Sequence, residues 1–490
     1  MKKYHHNNLF YTLGIYLAIV FSFFQLRASE PYNNITGFYG ERSPGLAGAF
    51  TALSDDPSGA YYNPAGLAFS YRDGFSISAS NFKNSERKYI NIDTPGQVYQ
   101  QSQQSFDPNF VGILKSVDNW KFGFSIVNAY TLNYDRTDQV NLPLISPTIN
   151  QTRNTIKENS TQMLIGPSGS YLITNKLSFG FTLYYLQDVK NSSKSQFQQF
   201  SNSSYVMRSI IDNRMTTGLL PILGFQYQAT EKLSLGLSMR RILVTGGNRL
   251  YNEVYTDSLR ASGANAVDFI EGTNNQFNSV ESGVITNKPK LNSSIPETSE
   301  VRLGAAIFPN SKFLASFDMI YTTGFKSFKN QDEIQVFGNR TNYIVNDKEN
   351  RELTRVSTLN FATGVEYYLV DTFAISGGIF TNNANTKPIS WTESAIDLGL
   401  QNSFSNQIQL SNGNNSITYR NPRSGTNPRN EHSNNRGISL GVSWVTAKSS
   451  ISLTYIREIG RGNSRIDPNS LSQAFEYKSE TIYIMISSRN

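Results

Sequence analysis

Along most of the chain, apolar and polar residues alternate with a period of two. Trp120, Phe122, Phe124, Ile126, Tyr130, Leu132 and Tyr134 stand against Lys121, Gly123, Ser125 and Asn133. Leu177, Phe179, Phe181 and Leu183 oppose Ser178, Gly180 and Thr182, and Leu233, Leu235, Leu237 and Met239 oppose Ser234, Gly236, Ser238 and Arg240. Near the C-terminus, Ile451, Leu453 and Tyr455 alternate with Ser450, Ser452 and Thr454. Such alternation marks strands whose two faces meet different surroundings.

Short polar turns join these strands in pairs: Val117-Asp118-Asn119, Thr174-Asn175-Lys176, Ala229-Thr230-Glu231-Lys232, Pro309-Asn310-Ser311-Lys312, Leu369-Val370-Asp371-Thr372 and Thr446-Ala447-Lys448-Ser449. With Gly74–Phe82 before the pairs and Tyr477–Ser488 after them, the pattern predicts about fourteen strands. Between the pairs run Asn/Ser-rich stretches at 83–108, 135–159, 191–212, 246–298, 326–354, 382–435 and 461–476, which carry no period and read as loops. Short and long connections in alternation are the mark of outer-membrane barrels, and a secreted sandwich does not predict them. The expected fold is therefore all-β, a 14-stranded antiparallel transmembrane β-barrel with an N-terminal plug in the lumen. A barrel of about fourteen strands lies between the side-chain-filled small barrels and the open porins, wide enough to need plugging.

Composition sharpens this picture. The 490 residues have a mean hydropathy of −0.39, which excludes a helical membrane bundle, yet include 31 Phe, 27 Tyr and 3 Trp. A chain that is polar on average and aromatic-rich suits strands that show only alternate residues to lipid. The absence of cysteine removes disulfides, thiolate metal sites and a Cys nucleophile. Of the three histidines, His5 and His6 fall in the N-terminal leader, and His432 reads as a solvated loop residue. No metal or cofactor is expected, and no enzyme activity. A formal charge of +7 without a concentrated basic patch gives no reason to expect nucleic acid.

Lys2 and Lys3, the charge-free run from Leu9 to Phe24 and Ala28 read as a signal peptide over 1–28. Residues 29–73 are dense in Gly and Ala but keep Phe38, Leu46, Phe50, Leu53 and Leu67, which suits a lumenal hatch, with the barrel and its long external loops over 74–490. Within that segment, Gly40-Glu41-Arg42-Ser43-Pro44-Gly45-Leu46-Ala47-Gly48-Ala49 leads to Asp55-Asp56 and then to Asn63-Pro64-Ala65-Gly66-Leu67. Here the chain resembles the FadL/TodX family of outer-membrane transporters for hydrophobic molecules, whose hatch carries a similar Gly/Ala-rich run, an Asp-Asp pair and an Asn-Pro-Ala-Gly-Leu turn. Weaker local likenesses run from Asp107 to Asp135, from Ile295 to Phe325 and from Gly364 to Gly378.

The resemblance implies a monomer in the outer membrane of a diderm bacterium, surrounded by outer-membrane lipid. It implies passive uptake of hydrophobic small molecules such as long-chain fatty acids. The solute would bind in a lumenal pocket, and the hatch would shift to release it sideways beside a kinked third strand. Asn128-Ala129 is the candidate kink. If the solute carries a carboxylate, an inward-facing cation should receive it. Alternation turns Lys121, Arg240 and Arg302 inward, while Arg457 falls on the lipid-facing register near the outer rim. Asp55-Asp56 reads as a turn, because Asp-Pro favours turn initiation. Two other readings remain open: a PorV-like barrel that engages protein cargo, and a surface adhesin or host-binding barrel. The C-terminal Ile486-Ser487-Ser488-Arg489-Asn490 lacks the terminal aromatic common in such barrels.

Overall fold

The computed structural model describes residues 32–489 except 71–72, 91–97, 141–148, 201–204, 258–277, 287–294, 327–333, 339–340, 346–353, 389, 393–406, 413–414, 421–430 and 465–471. The expected leader, 1–28, lies outside the described residues. Fourteen staves close a single antiparallel ring. They are β1 (Gly74–Ile90), β2 (Val98–Val117), β3 (Trp120–Val140), β4 (Ile149–Thr174), β5 (Leu177–Phe200), β6 (Tyr205–Thr230) and β7 (Leu233–Arg241) on one side. The ring continues through β8 (Ser299–Asn310), β9 (Phe313–Thr322), β10 (Thr358–Val370), β11 (Phe373–Asn382), β12 (His432–Val445), β13 (Ser449–Ser464) and β14 (Gln473–Arg489). Closure comes from β1 pairing with β14, from Gly74↔Arg489 to Ile90↔Ala474.

Every stave obeys the period-two rule. In β10 the residues alternate buried and exposed from Thr358 to Tyr367, with Leu359, Phe361, Val365 and Tyr367 outside. The outward set across the ring is dominated by Ile, Leu, Phe, Val and Tyr, and the inward set near the short-turn end by Ser, Gly and Thr. An apolar outer band around a polar, small-residue lumen is the lipid-facing arrangement expected of a membrane barrel.

Several stretches read as loops are paired strand instead. β4 and β6 have 26 residues each, whereas β9 and β11 have 10. At a tilt of ~40°, 26 residues rise roughly 65 Å, about twice the ~30 Å hydrocarbon thickness. β1 to β6 thus extend into much of 83–108, 135–159 and 191–212, and past Ile242 the seventh stave continues as Leu243–Asp257 against β6. Above the membrane polar residues occupy both registers, so hydrophobic alternation fades while the ladder persists. Elsewhere in these stretches, short hairpins form at Asn278–Thr286 against Leu243–Asp257 and at Gln407–Asn412 with Asn415–Arg420. His432 begins β12 and its Nδ1 lies 2.8 Å from the Thr386 carbonyl, so it is not a solvated loop residue.

The ring is interrupted at one place that matters for the site. The β2–β3 ladder ends at Phe110↔Val127, although β2 continues to pair with β1 and β3 with β4. Just above that point, β3 carries a bulge at Ala129, between Asn128↔Met163 and Tyr130↔Gln162.

Candidate functional site

Residues 32–70 run inside the ring, in contact with staves on nearly every side. Small wall residues make this possible. A Cβ on Gly180 would strike the Pro64–Ala65 peptide, and one on Gly236 would strike the Thr51 carbonyl. Wall hydroxyls then satisfy the segment's backbone, as buried polar groups require. Ser178 Oγ donates to the Ala65 carbonyl (2.8 Å), Thr182 Oγ1 to Ala60 (2.8 Å), Ser234 Oγ to Ala52 (2.7 Å) and Ser439 Oγ to Gly45 (3.0 Å).

Two carboxylates fix the segment more firmly. The fully buried Asp318 carboxylate of β9 accepts from the Phe50 N–H (3.0 Å), the Thr51 N–H (3.0 Å) and Thr51 Oγ1 (2.6 Å). Arg42 bridges Asp55 (2.8 Å) and Glu366 of β10 (3.0 Å). Burial works against the Arg42 charge, but Asp55 and Glu366 outweigh it and hold its pKa above the ordinary value.

The Asn63-Pro64-Ala65-Gly66-Leu67 motif forms a turn into a short 3₁₀ helix, Pro64–Phe69. Asn63 Oδ1 accepts from the Ala65 N–H (3.2 Å), while Nδ2 donates to the carbonyls of Thr51 (2.8 Å) and Phe225 on β6 (3.1 Å). One side chain therefore joins its own helix, the segment and the wall. Pro64 occupies the first helical position, where its missing N–H costs nothing. Gly66 is needed for close approach to the Leu53 and Ser54 carbonyls (2.7 Å each from an added Cβ), which lie in the segment itself and not in the wall. Leu67 packs with Ala60 and Leu114. Positive φ occurs in the segment at Gly40, Ala47, Gly48 and Ser54.

Asp55 and Asp56 do separate work. Asp55 faces Arg42, and Asp56 Oδ1 accepts from the Ser58 N–H (2.7 Å), an Asx turn at the start of the helix Gly59–Tyr62. Burial pushes the Asp56 carboxyl up to about 6 from 3.8. Ser58 hydrogen bonds oppose the shift, and the nearby Asp55 and Glu41 charges add to it. No cluster of three metal-ligating side chains occurs among the described residues.

Beside the segment the lumen wall turns apolar. Val127, Leu164, Tyr184, Leu186, Leu220 and Ile222, all inward on β3 to β6, pack with Tyr39, Phe50 and Tyr62. Tyr39 and Tyr61 meet edge to face at 4.6 Å, and Tyr61 meets Tyr62 at 5.3 Å. Sequence alternation alone did not single out these wall residues. The available signal was that both registers are apolar in Ile126-Val127, Leu183-Tyr184-Tyr185-Leu186 and Leu219-Leu220-Pro221-Ile222-Leu223. A wall residue that is apolar on the lumen side has no membrane reason to be so.

Arg240 and Arg302 border this patch. Both are buried, on β7 and β8, and both contact Glu300 Oε1, which stands opposite Arg240 in the ladder. The Arg240 guanidinium lies 4.4 Å from the centre of the Tyr61 ring, and that of Arg302 lies 5.5 Å from Tyr62. Arg240 Nη2 touches Glu300 as an ion pair yet makes no aligned hydrogen bond. Lys121 does not join them. It sits next to the β2–β3 turn, half-buried, and donates to Ser116 at the base of the wall. Asn128 bonds Thr131 (2.9 Å). The Ala129 carbonyl, at the bulge, accepts from Tyr39 OH (3.1 Å) and from Thr36 Oγ1.

The family profile described as outer membrane protein transport protein (OMPP1/FadL/TodX) matches residues 41–390. Among solved structures, a Pseudomonas aeruginosa FadL homologue superposes with a TM-score of 0.56 at 14% identity, covering 93% of this chain and 99% of its own. The Pseudomonas putida toluene transporter TodX gives 0.56 at 12% identity, with the same coverages of 93% and 99%. The Ralstonia pickettii toluene transporter TbuX gives 0.52 at 12%, again covering 93% and 99%. At these identities the likeness is one of fold. No curated protein matches in sequence.

Proposed function

Because the chain belongs to the OMPP1/FadL/TodX family of outer membrane transport proteins, we propose that it takes up hydrophobic compounds such as long-chain fatty acids through the apolar patch beside its inner segment. The observation that carries this reading is the run of inward apolar residues on β3 to β6 facing Tyr39 and Tyr62. An apolar solute gains nothing from a wet channel, but roughly 0.8 kcal/mol for each CH₂ buried against such a wall.

A carboxylate head group would be received at Arg240 and Arg302. Two cations converge on one Glu300 carboxylate, and Arg240 Nη2 makes no aligned hydrogen bond. In this reading residues 32–70 act as the hatch, anchored by the Asn63 turn, and release passes beside the Ala129 bulge where the β2–β3 ladder stops. The protein acts as a monomer and needs no cofactor.

Uptake of a labelled long-chain fatty acid and of a labelled aromatic hydrocarbon tests the proposal at equal surface abundance. Asn63→Ala with Gly66→Val should alter uptake of both solutes, because both must pass the hatch. Arg240→Ala should impair the fatty acid and spare the hydrocarbon. Unchanged uptake in the double variant would remove the hatch from the mechanism, and equal loss of both solutes in Arg240→Ala would remove the carboxylate contact.

A further inference from the structure

The outer wall carries an apolar concavity of its own, apart from the lumen. A groove of about 620 Å³ runs over β9 to β13 on the lipid face, lined by Phe317, Phe361, Ile379, Ile438 and Ile459. Phe317 and Phe361 stack at 6.1 Å along one side. Its volume lies within the ~300–1,000 Å³ of ligand-sized clefts. Arg436 and Arg457 close it at the end toward the long connections.

The strand register fixes this arrangement. Outward residues of β12 read Trp444, Val442, Leu440, Ile438 and then Arg436; those of β13 read Ile451, Leu453, Tyr455 and then Arg457. Trp444 and Arg436 are eight residues apart, roughly 20 Å along the barrel normal, so they mark the two edges of an apolar band about 25 Å tall. Arg436 pairs with Ile459 and Ile438 with Arg457, which sets the two arginines diagonally on neighbouring strands, within reach of one ligand.

Their charge is not neutralised locally. Arg436 has no hydrogen bond or ion pair among the described residues. Arg457 lies 3.9 Å from Glu480, a carboxylate that Lys478 approaches to 3.1 Å. Above the arginines the surface continues with Lys88, Arg461 and Lys478 against Glu86 and Glu476. Placing arginine at the edge of the lipid band has a cost unless an anion is there to receive it.

The geometry points to a binding site for an outer-leaflet lipid with a phosphate monoester head group, whose dianion two arginines match better than a zwitterionic phosphodiester: one acyl chain in the Phe317–Phe361–Ile379 groove, and the phosphate held between Arg436 and Arg457. Phosphate matches the planar two-donor edge of arginine, and the groove continuous with it selects a lipid over a free anion.

Native mass spectrometry of the full chain in mild detergent tests this, with diphosphorylated lipid A, phosphatidylethanolamine and inorganic phosphate as probes. One lipid A should bind saturably, phosphatidylethanolamine at least tenfold more weakly, and millimolar phosphate should not displace the lipid. Arg436→Ala with Arg457→Ala should weaken lipid A binding at least tenfold, and the paired lysine substitutions should restore only part of it. Ile379→Trp, which fills the groove without changing charge, should weaken it as well. Each variant is first checked for unchanged heat-modifiable mobility, which reports a closed barrel. Equal lipid A binding by wild type and the double alanine variant would overturn the proposal. So would equal binding of the two lipids, or displacement by free phosphate.

Discussion

The wall and the segment it encloses are held by opposite means. Between β13 and β14 the ladder runs without a shift from Ser449↔Ser488 to Ser464↔Gln473, and no single side chain is needed to keep it. Across residues 32–70 there is no such ladder to the ring among the described residues; the main-chain pairing is one isolated bridge, Asn33↔Ala384, just past the end of β11. Its place depends on individual side chains: Asn63, Asp318, Arg42 and a set of serines and threonines. A ring made of main-chain bonds tolerates substitution at most positions, whereas a segment held by side chains can be released by changing one or two. The difference separates what keeps the barrel in the membrane from what places the segment inside it.

The largest effect should come from steric displacement. Gly236→Val places a branched side chain against the Thr51 carbonyl, and the segment must yield because the ladder will not. The variant should keep heat-modifiable mobility on gels while the segment becomes sensitive to protease added from the periplasmic side. Loss of the folded band would show that wall and segment are not independent.

Asp318→Ala comes next. It leaves the buried Phe50 and Thr51 N–H groups without acceptors, at roughly 1–3 kcal/mol each. The segment should loosen by about 3 kcal/mol, read as faster hydrogen exchange over residues 50–54 than in wild type, with Asp318→Asn intermediate. Equal exchange in all three proteins would place the anchor elsewhere.

The smallest effect is a pH dependence. The folded pKa of Asp56 is raised to about 6 from 3.8, so the packed segment binds the proton more tightly than the released one. Its contribution is fully present below pH 3.8 and is lost as the pH rises to about 6. Between pH 7 and pH 5 the segment should tighten by on the order of 1.4 kcal/mol, one pKa unit of differential binding. Asp56→Asn, which keeps the acceptor for Ser58, should reduce the slope of exchange against pH by that amount. A variant as pH-sensitive as wild type would assign the titration to another group.

Much of this contrast was legible in the sequence. The membrane imposes a period of two on each stave, and the base turns are short and polar, so the fourteen staves could be counted from pattern and punctuation. The Asn63 motif stood out through its resemblance to the family's Asn-Pro-Ala-Gly-Leu turn, and its capping of the Pro64–Phe69 helix came only with the structure. The upper strands were hidden for a physical reason. In β4 and β5, pairs such as Asn159↔Asn191 and Lys157↔Ser193 lie beyond the apolar band and put polar residues on both registers, and a ladder there needs no hydrophobic alternation. The apolar lumen residues were hidden because pattern reading credits Leu186 or Ile222 to burial without saying which side buries it. Lys121 shared its register with inward residues, but register gives the face and not the height, and its height puts it beside the base turn. Glu300 and Asp318 could not be assigned from pattern, since pairing them requires knowing which strands are neighbours.

The bulge at Ala129 also has a kinetic meaning. The carbonyl there faces the Tyr39 and Thr36 hydroxyls of the segment, at a point where β2 and β3 no longer bond each other. If the segment is withdrawn, one acceptor and two donors lose their partners together in an apolar setting, at roughly 1–3 kcal/mol for each group. The withdrawn state therefore carries a restoring force, as a latch does when sprung toward shut. On the proposed release route, a solute that brings no polar group would leave that force intact, and reclosure would need no input of energy.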